Sequence, residues 1–358
     1  MDMARLMKGA ATVGASDLHL RVNGTPMVRV NGQMRPLDPA IPVLNADQLR
    51  HLIYSILPDD QIRRFEDELE LDCSLAMPNV AQFRVNVLRT RMGVEAVMRV
   101  LNGRIPEPDA IGLTPHMLAL AQLSRGLVLV TGPTGAGKTT TLACLIEQAN
   151  RSRPDHIVTV EDPIEYFYES KRCIVRQREV GAHTRSFPNA LRAALREDPD
   201  ILLVGEMRDS ETIALAVTAA ETGHLCFATL HTQDASTSIT RIIDSFPPHQ
   251  QAQIRAQLAA SLRAVISQSL LPRKDGKGRL ALREFMIVTP AIATLIRDNK
   301  THLINGAIET GQALGMIQLD RAIAEAIRMG LVDPDLAMAR AHNPEQVKLL
   351  MGAAPAKR

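Results

Sequence analysis

Aromatic residues and cysteines are scarce in this chain. Of its 358 residues none is Trp, 3 are Tyr and 7 are Phe, so base-stacking platforms and aromatic ligand cages have little material. The four cysteines, Cys73, Cys144, Cys173 and Cys226, form no C-x-x-C pair. This scatter argues against a zinc knuckle and against a disulfide framework. We therefore expect free thiols in a reducing compartment.

Long apolar runs and an excess of charge are also missing. No apolar run approaches the roughly 18 residues that span a bilayer, and the N-terminus has no apolar core with a cleavage site. We expect a cytoplasmic protein that contacts membranes only through partners. The 41 basic and 39 acidic residues nearly balance at +2, which argues against nucleic-acid binding as the main role. With 46% hydrophobic residues, the chain has enough apolar material for folded cores.

The N-terminal part of the chain has the pattern of a small α+β domain. Period-two alternation at residues 17–22, 83–87 and 94–100 predicts strands, and residues 27–35 have the pattern of a hairpin. Residues 46–57 between them predict a helix. We assign residues 1–101 to this domain. Prolines and glycines at residues 102–112 oppose both helix and sheet, so this segment is predicted to be a linker.

The pattern then changes to that of a sheet covered on both faces. Short apolar runs alternate with helical stretches from residue 126 onward, which is typical of a mostly parallel α/β core. The runs lie at residues 127–130, 157–160, 201–204 and 225–230. We assign the core to residues 113–289. Beyond it only helical spacing remains, so residues 290–358 are predicted to be a helical region.

The most specific motif follows the first of these apolar runs. Gly132–Thr139 reads GPTGAGKT and fits G-x-x-x-x-G-K-[ST] between a strand and a helix. Glycines let backbone N–H groups surround phosphates, Lys138 reaches the β and γ oxygens, and the Thr139 hydroxyl can bind Mg²⁺. A plain glycine-rich turn would not explain the Lys-Thr pair. The predicted phosphate-binding residues are Gly132, Pro133, Thr134, Gly135, Ala136, Gly137, Lys138, Thr139 and Thr140.

Acidic residues follow two further apolar runs. Phosphoryl transfer needs a metal-orienting acid and a group that positions water, and both are expected at the ends of neighbouring strands. Glu161 and Glu165 follow the run at 157–160, and Glu206 follows the run at 201–204. Solvated loop carboxylates are the alternative, and Glu165 can equally cap or pair.

Two histidines flank another run. His224 and His231 lie on either side of residues 225–230, so they are predicted at opposite ends of one strand. Two histidines seven residues apart are not a metal-binding spacing without further ligands, and a satisfied core histidine is the more common explanation.

In this order, the motifs resemble those of the secretion ATPase superfamily, most closely its type IV pilus retraction motors. The Walker A loop matches Gly132–Thr139, and the Asp box matches Thr159–Glu165. The Walker B segment matches Asp198–Asp209, which contains Arg208, and the His box matches Thr222–Thr232. The resemblance implies an α/β fold with a RecA-like P-loop ATPase core, a smaller PAS-like α+β N-terminal domain and a C-terminal helical appendage.

The resemblance extends towards both ends of the chain. Ala15–Leu20 reads ASDLHL and resembles a segment of the family, as does the stretch around Arg84. Residues 291–298 resemble the retraction signature AIRNLIRE but differ at three positions, so we expect the helix to persist. Assembly motors of the superfamily carry a tetracysteine zinc insert, where residues 271–279 supply only a short turn. This difference favours retraction over assembly.

Site roles follow from the resemblance as expectations, with ATP and Mg²⁺ as the ligands. Glu206 would bind Mg²⁺, partly through water, or activate the attacking water, and Glu161 would share this work. His231 would sense the γ-phosphate. The further candidates are Glu165, His224 and Arg208.

Two arginines are predicted to complete the site. Strand alternation places Arg84 and Arg99 on the polar sides of their strands. The resemblance implies a homohexamer in which one N-terminal domain closes over the ATP of its neighbour, so these arginines would act as arginine fingers. Ordinary solvated strand arginines are the alternative.

The implied motor would work at the cytoplasmic face of the inner membrane. Its partners would be the pilus platform protein and a paralogous retraction ATPase, with residues 102–109 as the hinge for domain closure. The alternatives are a PilU-like accessory retraction ATPase, the ATPase of a related secretion system, a non-motor nucleotide switch and a DNA translocase. Basic residues at 171–172 and 176–178 are the only local support for the last.

Overall fold

The computed structural model describes residues 2–30, 32–77, 80–101 and 105–352. The chain forms two compact units. The N-terminal unit comprises residues 1–104 and 163–167, and the core unit comprises residues 105–162 and 168–358. Asn102, Gly103 and Arg104, the first residues of the predicted linker and hinge, lie outside the described residues. The predicted bounds at 101, 112 and 289 stay predictions.

The N-terminal unit is an antiparallel sheet with helices packed on it, so the α+β prediction is confirmed. Its strands follow the order β3-β2-β1-β6-β5-β4. In β5, Phe83, Val85 and Val87 are buried and Arg84 is exposed, as the alternation predicts, and Gln82 is buried as well. The elements are α1 (Met3–Thr12), β1 (Asp17–Leu20), β2 (Met27–Val30), β3 (Gln33–Pro36), α2 (Ala46–Tyr54), α3 (Asp59–Glu68), β4 (Glu70–Met77), β5 (Ala81–Thr90) and β6 (Gly93–Leu101).

The core unit contains a seven-stranded sheet with strand order β13-β12-β7-β11-β10-β8-β9. All neighbours are parallel except the β12–β13 pair, so the predicted parallel core is confirmed. The elements are α4 (Pro115–Leu118), β7 (Gly126–Thr131), α5 (Lys138–Ser152), β8 (His156–Glu161), β9 (Ile174–Glu179), α6 (Phe187–Ala194), β10 (Ile201–Val204), α7 (Ser210–Glu221), β11 (Leu225–Leu230), α8 (Ala235–Asp244), α9 (Pro248–Ser261), β12 (Leu262–Pro272) and β13 (Arg279–Ile287).

Continuous apolar runs identified four strands of the core sheet, namely β7, β8, β10 and β11, whereas β9, β12 and β13 were not predicted individually. Every residue of β7, β10 and β11 is buried, and each appears in the sequence as an apolar run. Strand β9 was not predicted. It lies at the sheet edge and carries a polar sequence around Arg176–Arg178, which in the sequence indicates only a charge cluster.

Helices follow the sheet, as predicted. They are α10 (Pro290–Arg297), α11 (Ile304–Thr310), α12 (Leu319–Arg328), α13 (Pro334–Met338) and α14 (Pro344–Gly352). The altered signature segment keeps its helix, because Ile292 and Ile296 of α10 are fully buried. No helix within the described ranges combines the length and the apolar character needed to cross a bilayer.

Candidate nucleotide site

The predicted phosphate loop connects β7 to the first turn of α5. Gly132 has a φ of 142°, which favours glycine. A Cβ atom at this position would lie 2.2 Å from the backbone oxygen of Gln268, so no other residue fits without movement. The loop ends at the N-terminus of a 15-residue helix, whose dipole favours an anion.

Lys138 lies over the loop that precedes it. Its Nζ donates to the carbonyl oxygens of Gly132 at 2.8 Å and Pro133 at 3.2 Å. Thr134 and Gly135 are exposed at the loop tip, and Ala136 is buried. Half-buried Thr139 and Thr140 follow Lys138 in α5. The tip of the loop is therefore exposed, and the ammonium group of Lys138 lies close to the loop backbone.

A neighbouring strand supports the loop through contacts that the sequence did not predict. Gln268 of β12 donates from Nε2 to the Ala136 oxygen at 2.6 Å and accepts at Oε1 from the Thr141 hydroxyl at 2.8 Å. Arg283 of β13 donates to the same Oε1 at 3.3 Å. Burial lowers the pKa of Arg283 to about 10. These partners are more than 100 positions apart from the loop in sequence, and no local pattern links them.

Glu161 and Glu206 lie at the carboxyl edge of the sheet, as does the phosphate loop. Glu161 is the last residue of β8, and Glu206 follows β10 by two positions. These strands are parallel neighbours, with Val160 opposite Val204. Glu161 is buried, and its Oε1 accepts from the Thr159 hydroxyl at 2.6 Å. The candidate acids thus occupy adjacent strand ends.

Glu206 is held by two basic side chains. Arg208 binds both carboxylate oxygens at 2.7 Å, and His231 Nε2 lies 2.9 Å from Oε1. Burial opposes ionisation of Glu206, but the hydrogen bond from Arg208 and the charges of His231 and Lys138 outweigh it and lower its pKa. Glu206 and Arg208 follow β10, and His231 directly follows β11, so the ends of two neighbouring strands meet here.

Two other candidates lie elsewhere. His224 precedes β11, at the opposite end of that strand from His231, as predicted. Its Nδ1 is 3.0 Å from the oxygen of Ala219, near the end of α7, so within this chain it is separate from the carboxyl edge. Glu165 is in the segment 163–167, which belongs to the N-terminal unit.

Arg84 and Arg99 are directly paired on the exposed side of the N-terminal sheet. They are register partners on β5 and β6, and both are exposed. Two like charges placed opposite each other are destabilising. Asp17 offsets this repulsion, because its buried carboxylate lies 3.1 Å from Arg99 Nε. Asp17 belongs to the ASDLHL segment, but its role as the partner of Arg99 was not predicted.

Comparison with known proteins identifies the family. The family model described as "Type II/IV secretion system protein" matches residues 2–330. The chain belongs to this family. A member of the family from Pseudomonas aeruginosa, the type IV pilus retraction ATPase PilT, is 48% identical over 345 residues, covering 96% of this chain and 99% of that protein.

Two further members of the secretion family refine the comparison. A crystal structure of the pilus retraction motor PilT with bound ADP has a TM-score of 0.92 at 40% identity, covering 98% of this chain and 99% of that one. The type IV pilus ATPase PilU of P. aeruginosa is 35% identical, covering 98% of this chain and 91% of that protein. The predicted resemblance to retraction motors is confirmed, and the lower identity does not favour the PilU-like alternative.

Proposed function

We propose that this chain is an ATP-hydrolysing motor that powers type IV pilus retraction and twitching motility. The observation that carries this proposal is the carboxyl edge of the core sheet, where the phosphate loop, Glu161 and the Glu206–Arg208–His231 group converge. Similarity over nearly the full length to a pilus retraction ATPase supports the motor role.

ATP fits the loop and an adjoining cavity. The phosphates would replace the Gly132 and Pro133 carbonyls as partners of Lys138. A cavity of about 710 Å³ adjoins the loop. Ile111, Leu270 and Leu280 line it, and none of the described lining residues is aromatic. We infer that aliphatic contacts hold the adenine, in keeping with the scarcity of aromatic side chains.

The donor set fits Mg²⁺ bound together with the nucleotide. In the part of the chain that the structure describes, no group of three or more His, Cys, Asp or Glu side chains could hold a metal ion. Mg²⁺ in nucleotide sites needs only one or two protein ligands besides phosphates and waters. Thr139 and Glu206 would hold it. When bound, Mg²⁺ would neutralise charge on the β and γ oxygens.

The side chains then divide the work of hydrolysis. Glu206 is ionised and orients or deprotonates water, with Glu161 sharing this work, and His231 donates to the γ-phosphate. Arg84 and Arg99 come from the N-terminal unit of a neighbouring subunit in a homohexamer. The ring works at the cytoplasmic face of the inner membrane, where it moves the pilus platform protein, with a paralogous retraction ATPase as an additional partner.

Phosphate release by the purified full chain with ATP and Mg²⁺ tests the enzymatic proposal. Lys138→Ala should abolish sustained release, and Glu206→Gln should lower kcat by about 10²-fold or more. Lys8→Ala and Glu309→Gln are matched controls, because both residues are exposed and lie outside the site. Absence of turnover in a wild-type monomer or dimer would instead indicate a nucleotide switch.

Deletion of the gene tests the cellular role. We expect excess pili without twitching, restored by the wild-type gene and by Lys8→Ala but not by Lys138→Ala. Loss of pili would indicate an assembly motor, and unchanged twitching would contradict the retraction proposal.

A further inference from the structure

The chain leaves the core unit directly after Glu161 and Asp162, two acids of the Asp box. Residues 163–167 belong to the N-terminal unit, and the chain returns to the core unit at Tyr168. Within the N-terminal unit, Gln82 Nε2 donates to the Ile164 oxygen at 3.1 Å. Gln82 and Ile164 are each 3% exposed, so water competes little for this bond. This segment, residues 163–167, which we call the excursion, is therefore held to the rest of the N-terminal unit by a buried hydrogen bond.

In the core unit, one side chain joins the two ends of this excursion. Gln177 of β9 accepts at Oε1 from the Tyr168 N–H at 2.9 Å. Its Nε2 donates to Glu161 Oε1 at 3.2 Å. Glu161 lies just before the excursion and Tyr168 just after it. A single amide thus connects the returning backbone to the carboxylate at the point of departure.

The chemistry of the amide makes this connection directional. A glutamine side chain has one accepting oxygen and one donating nitrogen, so the bond from Tyr168 turns the nitrogen towards Glu161. Thr159, the register partner of Gln177, donates to the same carboxylate oxygen. Glu161 is 4% exposed, so these donors limit the orientations that its carboxylate can adopt.

We propose that Gln177 is a positioning residue that orients the Glu161 carboxylate and couples it to the segment 163–167. A movement of the N-terminal unit that shifts this segment also shifts Tyr168, and the amide passes that shift to Glu161. The inference rests on the proposed function, in which Glu161 takes part in ATP hydrolysis. Fastening of the edge strand β9 alone is the competing explanation.

Gln177→Leu in the full chain removes both hydrogen bonds at similar side-chain size. We expect kcat to fall about tenfold with KM for ATP within about twofold, because misplacement of a catalytic group affects the transition state more than binding. Arg176→Ala is the matched control, since Arg176 is an exposed neighbour on the same strand. A drop in melting temperature with unchanged kcat would support the competing explanation and overturn the proposal.

Gln177→Glu provides a second test, based on the pH dependence of kcat. A purely structural role of Gln177 would not change this dependence. The variant's protonated carboxyl can still donate to Glu161, whereas its ionised form cannot and repels it. The ratio of variant to wild-type kcat should therefore rise several-fold as the pH falls from about 8 to about 6. A ratio independent of pH would contradict the proposal.

The combined variant separates this inference from the function on which it rests. If Gln177 acts through Glu161, Gln177→Leu should cause no further loss of kcat in a Glu161→Gln background. Additive losses would overturn the inference alone. A wild-type chain without ATP hydrolysis would overturn the proposed function and this inference with it.

Discussion

Gly132 shows how little space the phosphate loop leaves for a side chain. The site depends on a backbone position with φ of 142° and on close approach to the Gln268 oxygen. Glu206 shows the opposite dependence, since the side chains of Arg208 and His231 lower its pKa against the effect of burial. At the residue scale, the proposed chemistry thus depends on the absence of a side chain at Gly132 and on the ion pairs of the Glu206 carboxylate.

Gly132→Ala should weaken ATP binding by tenfold or more and lower the free energy of unfolding by roughly 1–3 kcal/mol, because the methyl group displaces the loop. Titration with ATP and urea unfolding would measure both effects. Gly223→Ala is the matched control, with φ of 122° and no atom within 4 Å of its Cβ. Equal losses in both variants would mean that backbone strain, not the contact with Gln268, causes the effect.

Arg208→Ala should move the acidic limb of the kcat/KM profile to higher pH. Arg208 lowers the pKa of Glu206, so in the wild type this carboxylate keeps its charge until the pH falls below the ordinary range for glutamate. The associated stability is likewise present at higher pH and lost as the pH falls through the lowered pKa. A pH–rate profile measures the shift. The exposed Arg196→Ala should leave the limb in place.

At the scale of elements, Glu284 joins a strand to two helices. It lies on β13, and its Oε1 accepts from the Ala235 N–H, at the start of α8, at 2.8 Å. A backbone bond from Leu319 ties it to the start of α12. Burial raises the pKa of Glu284 to about 7 despite these hydrogen bonds. This buried carboxyl group at the junction of β13, α8 and α12 therefore makes the stability depend on pH.

Glu284→Gln should remove a pH-dependent part of the stability. The folded state holds the Glu284 proton up to a pKa of about 7, against an ordinary glutamate value of 4.5, so between these values it binds more protons than the unfolded chain. This contribution is complete at low pH and is lost as the pH rises towards 7. Urea unfolding at several pH values should show that the free energy of unfolding of the variant rises relative to that of the wild type as the pH rises from about 4.5 to about 7. A constant difference would contradict the assignment, and Glu309→Gln serves as the control.

At the scale of the whole molecule, the proposed site draws on two units. The P-loop, Glu161 and Glu206 belong to the core unit, and Arg84 and Arg99 belong to the N-terminal unit. In a ring with head-to-tail interfaces, one subunit can supply the nucleotide-binding loop, and the next subunit can supply the arginines. Removing either arginine should lower kcat more than ATP affinity, with the exposed Arg91→Ala as the control.

Mixed rings of Lys138→Ala and Arg84→Ala subunits test whether the arginines act between subunits. Random mixing would give about one interface in four with an intact loop and an intact arginine, so part of the ATPase activity should return. Rings that mix Lys138→Ala with Arg91→Ala control for dilution of active loops. If the arginines act within their own subunit, the first mixture should be no more active than its separate components.

Several features could be predicted because their signals are local. The phosphate loop is a contiguous motif, Glu161 and Glu206 directly follow apolar runs, and alternation placed Arg84 and Arg99 on the exposed side. Strand β9 was missed because an edge strand needs no apolar run. The role of Gln177 was missed with it, because its partners Tyr168 and Glu161 come from other segments.

By itself, the sequence determined the type of chemistry, the α/β class of the core and the positions of its apolar strands. Contiguous motifs and periodic burial depend on neighbours along the chain, and these can be read without coordinates. Only the tertiary structure decided which side chains meet: Gln268 beneath the loop, Asp17 beside Arg99, and Arg208 and His231 around Glu206. Hydrogen bonds and ion pairs act over a few ångströms. Distant segments acquire such contacts only when strand order and register bring them together.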